Sequence, residues 1–254
     1  MPRAPVEAAL LAALSQEVRP FLRRVKAKRL PHSDLPAWEF ALAGRTGVAV
    51  LPGMGESAAA RGAAFILEHY ESQVFICLGF GGALTPELAP GALVLGESFW
   101  RYEPEAAKFQ ELKVPTPPTF LSELVERLQA ANLPVFRGSV VTTPGIIHKR
   151  SQGSPLLSLA HPVLDLETGA AAEIIGGRGL PFLALRAVTD PAAEEIPDFI
   201  RKAPQEGGSP IARTALAWLA ADPRRLTVLV RLWRRSRLAA EHLARALEVV
   251  LDLV

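Results

Sequence analysis

Three carboxylates stand where a buried strand gives way to a loop or helix, which is where side chains of an α/β protein can do chemistry. Glu17 follows the apolar run Ala8–Leu14 with two residues between, Glu167 follows Val163-Leu164-Asp165-Leu166, and Asp190 closes Phe182–Thr189. Carboxyl groups gathered at one end of several strands can divide general-acid from general-base work when their surroundings separate their pKa values. Helix capping is the competing reading: Glu17 in a first helical turn, and Asp190 ahead of Pro191. For Asp190, cap and cleft stand side by side; for Glu17 the cap is the favoured reading.

Two glycine clusters accompany them. Gly79-Phe80-Gly81-Gly82 after an apolar strand reads as a close-approach turn whose N–H groups can reach a ligand. It lacks the spacing of a dinucleotide fingerprint. Gly53-Met54-Gly55 leads straight into an Ala-rich helix, whose N-terminus can receive a hydroxyl or an anion. The five histidines share no metal-ligand spacing, and no Ser or Cys sits in a nucleophile elbow, so neither a metal site nor a serine or cysteine nucleophile is expected.

The elements that must position these groups follow from hydrophobic periodicity. Strands are expected at 8–14, 39–43, 47–52, 74–79, 92–97, 134–143, 163–167 and 181–188. Helices are expected at 16–25, 56–70, 120–131, 169–177 and 210–221. Interleaving of this kind, with strands apolar on both faces, belongs to a layered α/β domain with a covered sheet. Segments 101–118 and 193–210 are rich in Pro, Gly and charge, and read as mobile loops roofing the cleft.

Composition narrows the function classes. With 254 residues, 49% hydrophobic and 21% charged, the chain can bury a large core. The net charge is +2, but residues 222–254 hold seven Arg against four acidic residues, leaving the remainder at −1. A body without basic excess lacks the footprint of a nucleic-acid binder. One cysteine, Cys77, fits a reducing, cytoplasmic setting. The apolar run at 8–14 is too short for a signal peptide, and no stretch approaches the roughly 20 apolar residues of a membrane span.

Taken in order, the motifs resemble the purine nucleoside phosphorylase and nucleosidase superfamily, and most closely its methylthioadenosine/S-adenosylhomocysteine nucleosidase-like branch. The resemblance rests on Ser15-Gln16-Glu17-Val18, Gly53-Met54-Gly55, Leu78–Leu84 ahead of Pro90–Val94, Asp165-Leu166-Glu167 and Arg186-Ala187-Val188-Thr189-Asp190. It implies a three-layer α/β/α sandwich with a central mixed sheet over 1–221. It also implies cofactor-free cleavage of an N-ribosidic bond in a purine nucleoside, and a homo-oligomer. By the same carry-over Asp190 protonates or hydrogen-bonds the purine N7, and Glu17 positions or deprotonates water. Glu167 holds the ribose 2′-hydroxyl and Leu166 stands where the family has a ribose-packing Met. Asp165, Gly55, Phe80, Gly81, Thr189, Ile146 and Ile147 are the further substrate-binding candidates.

Departures from the pattern shape the expectation. Superfamily phosphorylases carry an Arg two residues before the glycine cluster and a Ser within it, where this chain has Cys77 and Phe80. Two phosphate contacts are therefore missing, and hydrolysis is favoured over phosphorolysis. Ile146 replaces the aromatic that stacks on adenine. Residues 222–254 form an amphipathic helical extension with Leu226, Leu229, Val230, Trp233, Ala240, Leu243, Ala244, Leu247 and Leu251 on one face. Arg224, Arg231, Arg234, Arg235 and Arg245 are placed opposite. It packs on the body or a partner subunit, or it lies on an anionic membrane. This tail and the altered base loop are similar to hopanoid-associated members, whose implied substrate is adenosylhopane, a lipid-linked adenosine. A nucleoside-binding or scaffold protein without activity is the alternative of another class.

Overall fold

The computed structural model describes residues 3–31, 33–113, 118–201, 218, 222 and 225–254. Among the described residues ten strands form one mixed sheet: β1 (Ala4–Ala12), β2 (Lys28–Arg29), β3 (Ala37–Leu42), β4 (Arg45–Val50), β5 (Tyr70–Ala83), β6 (Leu93–Glu103), β7 (Lys108–Leu112), β8 (Val135–Thr142), β9 (Val163–Asp165) and β10 (Phe182–Asp190). The helices are α1 (Ser15–Arg24), α2 (Glu56–His69), α3 (Pro118–Ala130), α4 (Lys149–Gln152), α5 (Thr168–Gly176), α6 (Asp198–Arg201) and α7 (Leu226–Leu253).

β5 is the hub. It pairs in parallel with β1 and β10 and antiparallel with β9, while β10 also pairs with β6, β6 with β8, and β8 with β9. The pairings β5–β10–β6–β8–β9–β5 close a circuit, and β1, β4, β3 and β2 extend from its open side. Strands covered on both faces must be apolar throughout, which is how Val74–Leu78 and Phe182–Leu185 read.

Helices cover both faces. Phe21 of α1, Leu124 and Leu128 of α3, and Leu243, Leu247, Val250 and Leu251 of α7 share one core with β1, β5 and β10. On the opposite face the small residues Ala59 and Ala63 of α2 and Ala170–Ala172 of α5 bring these two helices close over β4 and β5. The expected sandwich is the observed one.

α7 is divided along its length. Ala239–Leu251 contributes eight buried residues, whereas Leu226, Val230, Trp233 and Leu238 are exposed. The basic residues do not all face away from the body: Arg235 pairs with Glu194 at 2.8 Å and Arg245 donates to the Ala131 carbonyl. Their long side chains reach across the packing seam, which a helical wheel cannot register.

Four local expectations change. Gly79–Gly82 is the continuation of β5, because the missing side chains make room for charged neighbours while the ladder to β10 goes on. Residues 101–112 are a β-hairpin through the one-turn helix Pro104–Ala106, with five residue pairs between β6 and β7. Glu167 is the N-cap of α5, beyond the end of β9, and β1 stops at Ala12. The helix expected at 210–221 lies outside the described residues except at Trp218, as do 202–210 of the second loop; within 193–201 the chain forms α6.

Candidate active site

β1, β4, β5 and β10 are parallel, so the loops after them meet at one end of the sheet. After β1 the chain turns at Leu14 into α1, and Glu17 in the first turn folds its side chain back. One carboxylate oxygen accepts the Leu14 N–H at 2.8 Å and the other accepts the Phe80 N–H at 2.9 Å. Glu17 thus caps α1 and at the same time ties it to the end of β5. Burial pushes its carboxyl up, opposed by these N–H groups and by Arg186.

After β4, Gly53 and Gly55 take φ values of 105° and 89°, which favour glycine, and the Gly55 N–H donates to Glu167 at 2.9 Å. Glu167 is buried, and this raises its carboxyl from 4.5 to about 7, with Arg186 opposing and Asp165 and Glu17 adding to the rise.

Arg186 underlies both acids. It is 1% exposed on β10, pairs with Asp165 at 2.5 Å, donates to Thr168 Oγ1 at 2.6 Å and lies 3.8 Å from Glu167. A Cβ on Gly79 would sit 2.4 Å from Arg186 Nη1 and 2.9 Å from Glu17 Oε1, so the glycine admits both charged groups beside β5. Cys77 is buried against Arg186 and Thr168, and burial pushes its thiol to about 12, which leaves it an inert neighbour.

Asp190 ends β10 opposite Gly82, three residues along β5 from Gly79, or about 10 Å at strand spacing. No helix follows directly, so its side chain caps nothing. Oδ1 accepts from Thr189 at 3.0 Å, and Oδ2 lies 2.5 Å from the buried Lys149 ammonium without an aligned hydrogen bond. Burial pushes this carboxyl up against the pull of Lys149.

The remaining candidates divide. Gly55, Phe80, Gly81, Leu166 and Thr189 stand at the same end of the sheet as the acids. Ile146 is half-buried, and Ile147 packs with Leu84, Tyr102 and Leu156 beneath the loop. Asp165 is fully engaged by Thr142, Thr168 and Arg186, with its side chain 0% exposed. Arg186 and Lys149 are the two residues that sequence reasoning passed over. An arginine inside a run as apolar as Phe182–Val188 demands buried partners and could have been flagged. Lys149, between His148 and Arg150, carries no such signal.

A mixed sheet helix-covered on both faces, with buried carboxyl groups around a buried arginine toward one end of its parallel strands, is an α/β scaffold with a candidate active site of the acid–base kind. A model of the Phosphorylase superfamily matches residues 7–216, and the chain belongs to that superfamily. It is 26% identical over 163 residues to the 5′-methylthioadenosine/S-adenosylhomocysteine nucleosidase of Baumannia cicadellinicola subsp. Homalodisca coagulata, covering 59% of this chain and 70% of the relative. In three dimensions it is similar to the Neisseria meningitidis 5′-methylthioadenosine/S-adenosylhomocysteine nucleosidase in complex with methylthio-immucillin-A, with a TM-score of 0.72, 20% identity and 98% and 99% of the two chains covered. It is equally similar to the futalosine hydrolase of Helicobacter pylori strain 26695, with a TM-score of 0.72, 14% identity and 98% of each chain covered.

Proposed function

We propose that this protein is an N-glycosyl hydrolase that cleaves the N-ribosidic bond of a purine nucleoside, with an adenine nucleoside as the leading substrate class. The observation that carries hydrolysis is the engagement of the Phe80 N–H by Glu17. That carboxylate occupies a backbone donor on which an anion would depend, and it would repel a phosphate placed beside it. A neutral water is the nucleophile that suits a buried carboxylate.

Asp190 donates its proton to the purine N7, so that the base departs without negative charge. Glu17, ionised, accepts a proton from the attacking water, and Glu167 holds the ribose 2′-hydroxyl as the sugar becomes oxocarbenium-like. Leu166 and Phe80 pack on the sugar side and Ile146 on the base. Incubating the protein with a panel of adenine nucleosides, with and without phosphate, tests this reading. Base release independent of phosphate is expected, and release only in its presence would establish phosphorolysis.

The second reading is a lipid-linked adenosine such as adenosylhopane, met by a cytoplasmic enzyme at an anionic membrane. Its support is the exposed set Leu226, Val230 and Trp233 beside Arg231, Arg234 and Arg237 on the outer half of α7. Among the described residues no helix is long and apolar enough to cross a membrane, so contact would be interfacial. Sedimentation with phosphatidylglycerol vesicles checks it. Binding lost in Trp233→Ser is expected; binding unchanged by that substitution would sink the membrane reading.

A further inference from the structure

Lys149 has no role in the chemistry set out above, yet it is 7% exposed and directed at the one carboxyl group assigned to the base. Its ammonium donates to the carbonyl oxygens of Asp190 at 2.9 Å and Pro191 at 3.1 Å, and lies 2.5 Å from Asp190 Oδ2. The aliphatic stem runs past β5, where a Cβ on Gly82 would be 3.2 Å from Lys149 Cε and 2.6 Å from Asp190 Oδ2. Glycine at 82 is thus what lets the ammonium and the carboxyl group meet against the strand.

The short helix bearing Lys149 is itself anchored. Glu195 accepts the Lys149 and Arg150 N–H groups at 3.1 and 2.9 Å. The backbone that carries the lysine is therefore tied to the loop after β10.

We infer that Lys149 is a positioning residue for Asp190, fixing its carboxyl group at the end of β10 and governing whether that group carries the proton destined for the base. The inference rests on the proposed N-ribosidic cleavage and deepens it. The two carbonyl oxygens take two of the three ammonium donors, and the third is out of line with Asp190 Oδ2, which is left buried without an aligned partner. A protonated purine N7 supplies such a partner as the base departs. The proton moves from the Asp190 carboxyl group to N7 while the glycosidic electron pair goes to N9. Asp190 is left as a carboxylate beside the Lys149 ammonium, which stabilises it.

The charged groups around the pair are few. Lys149 approaches Asp190 from α4 and Thr189 from β10 itself, and the Arg235 guanidinium of α7 adds a weaker attraction. Glu194 faces Lys149 but is paired with Arg235, and Glu195 lies 3.9 Å from the His148 ring. Of these, Lys149 is the group that bears most on Asp190. An ammonium beside a carboxyl group favours the carboxylate, so removing it lets Asp190 keep its proton to higher pH.

The test follows kcat and KM for adenine release against pH in the wild type, Lys149→Gln, Lys149→Met, Lys149→Arg and Asp190→Asn. Lys149→Gln removes the charge while keeping two amide N–H donors on a side chain one bond shorter, so it serves where Lys149→Met folds poorly. The alkaline limb of kcat is expected to move to higher pH in both uncharged variants, to stay in place in Lys149→Arg and to vanish in Asp190→Asn. Plateau kcat should fall about 10- to 100-fold in Lys149→Met with KM little changed. The position of a limb does not depend on how much of a preparation is folded. An alkaline limb that stays put in Lys149→Gln would make Lys149 an anchor of the loop alone and overturn the inference. A wild type that releases no base from any nucleoside would instead remove the proposed activity, and this inference with it.

Discussion

Glu17 and Phe80, 63 residues apart in the chain, are joined by a 2.9 Å hydrogen bond from the strand N–H to the carboxylate. The bond links the first turn of α1 to the glycine-rich end of β5 and holds an acid where β5 and β10 run side by side. Replacement of Glu17 by Gln removes the base and keeps one of its two acceptor oxygens. Base release should fall about 10²- to 10⁴-fold, and added phosphate should not restore it. Near-normal turnover by Glu17→Gln would take the base role from this residue.

Arg186 carries the largest structural consequence. Its removal as Arg186→Met leaves Asp165 and Glu167 buried without their cation, and loss of one partner of such a set costs about 3–5 kcal/mol. Urea unfolding should show this as a lower midpoint. A loss under about 1 kcal/mol would mean that Asp165 is held by Thr142 and Thr168 alone.

Glu167 links stability to pH. Its carboxyl sits at about 7 in the folded protein against 4.5 in the unfolded chain, so the folded state holds more protons between those values. Its contribution is fully favourable below 4.5 and is lost as pH rises through 7. Glu167→Gln should abolish that dependence, giving a Tm that changes less than the wild type's between mildly acidic and mildly alkaline buffer. Parallel melting curves across that range would assign the dependence to other groups.

Gly79→Ala and Gly177→Ala form a matched pair. At Gly79 the added methyl meets Arg186 and Glu17 within 3 Å, whereas at Gly177 it meets nothing within 4 Å. Gly79→Ala should lose about 1–3 kcal/mol of stability, with activity falling in step, while Gly177→Ala stays within about 0.5 kcal/mol of wild type. Equal behaviour of the two would show that the site yields freely.

In α7, Leu247→Ala should cost about 2–5 kcal/mol and Trp233→Ser less than about 0.5 kcal/mol, since one is 0% and the other 56% exposed. Thermal melts of the two variants check the division of the helix into a core half and an outer half.

The layered fold was legible because β5 and β10 are apolar on both faces and α2 is built from Ala at close-packing positions. The candidate acids were legible because strand ends are few and Glu17, Glu167 and Asp190 fall on them. What escaped had physical reasons. Gly79–Gly82 reads as a turn because glycine marks turns, but here its small size serves side chains arriving from β10 and α1 while the strand continues. The hairpin through 101–112 hides behind Pro104 and its charges, since both of its strands except Tyr102 and Leu112 are at least partly open to solvent from Trp100 onward. Lys149 escaped because its burial depends on Gly82 and Asp190, more than forty residues away on either side.

The first helix and the last share one core, and Arg24 reaches Glu248 across 224 positions of sequence. A nascent chain therefore presents β1 and α1 with an uncovered apolar wall throughout the synthesis of everything between them. Closure of that wall awaits residues 239–251, which supply the α7 side of the same core. The two ends of the sequence are thus joined in one core, and contacts of such long range form slowly.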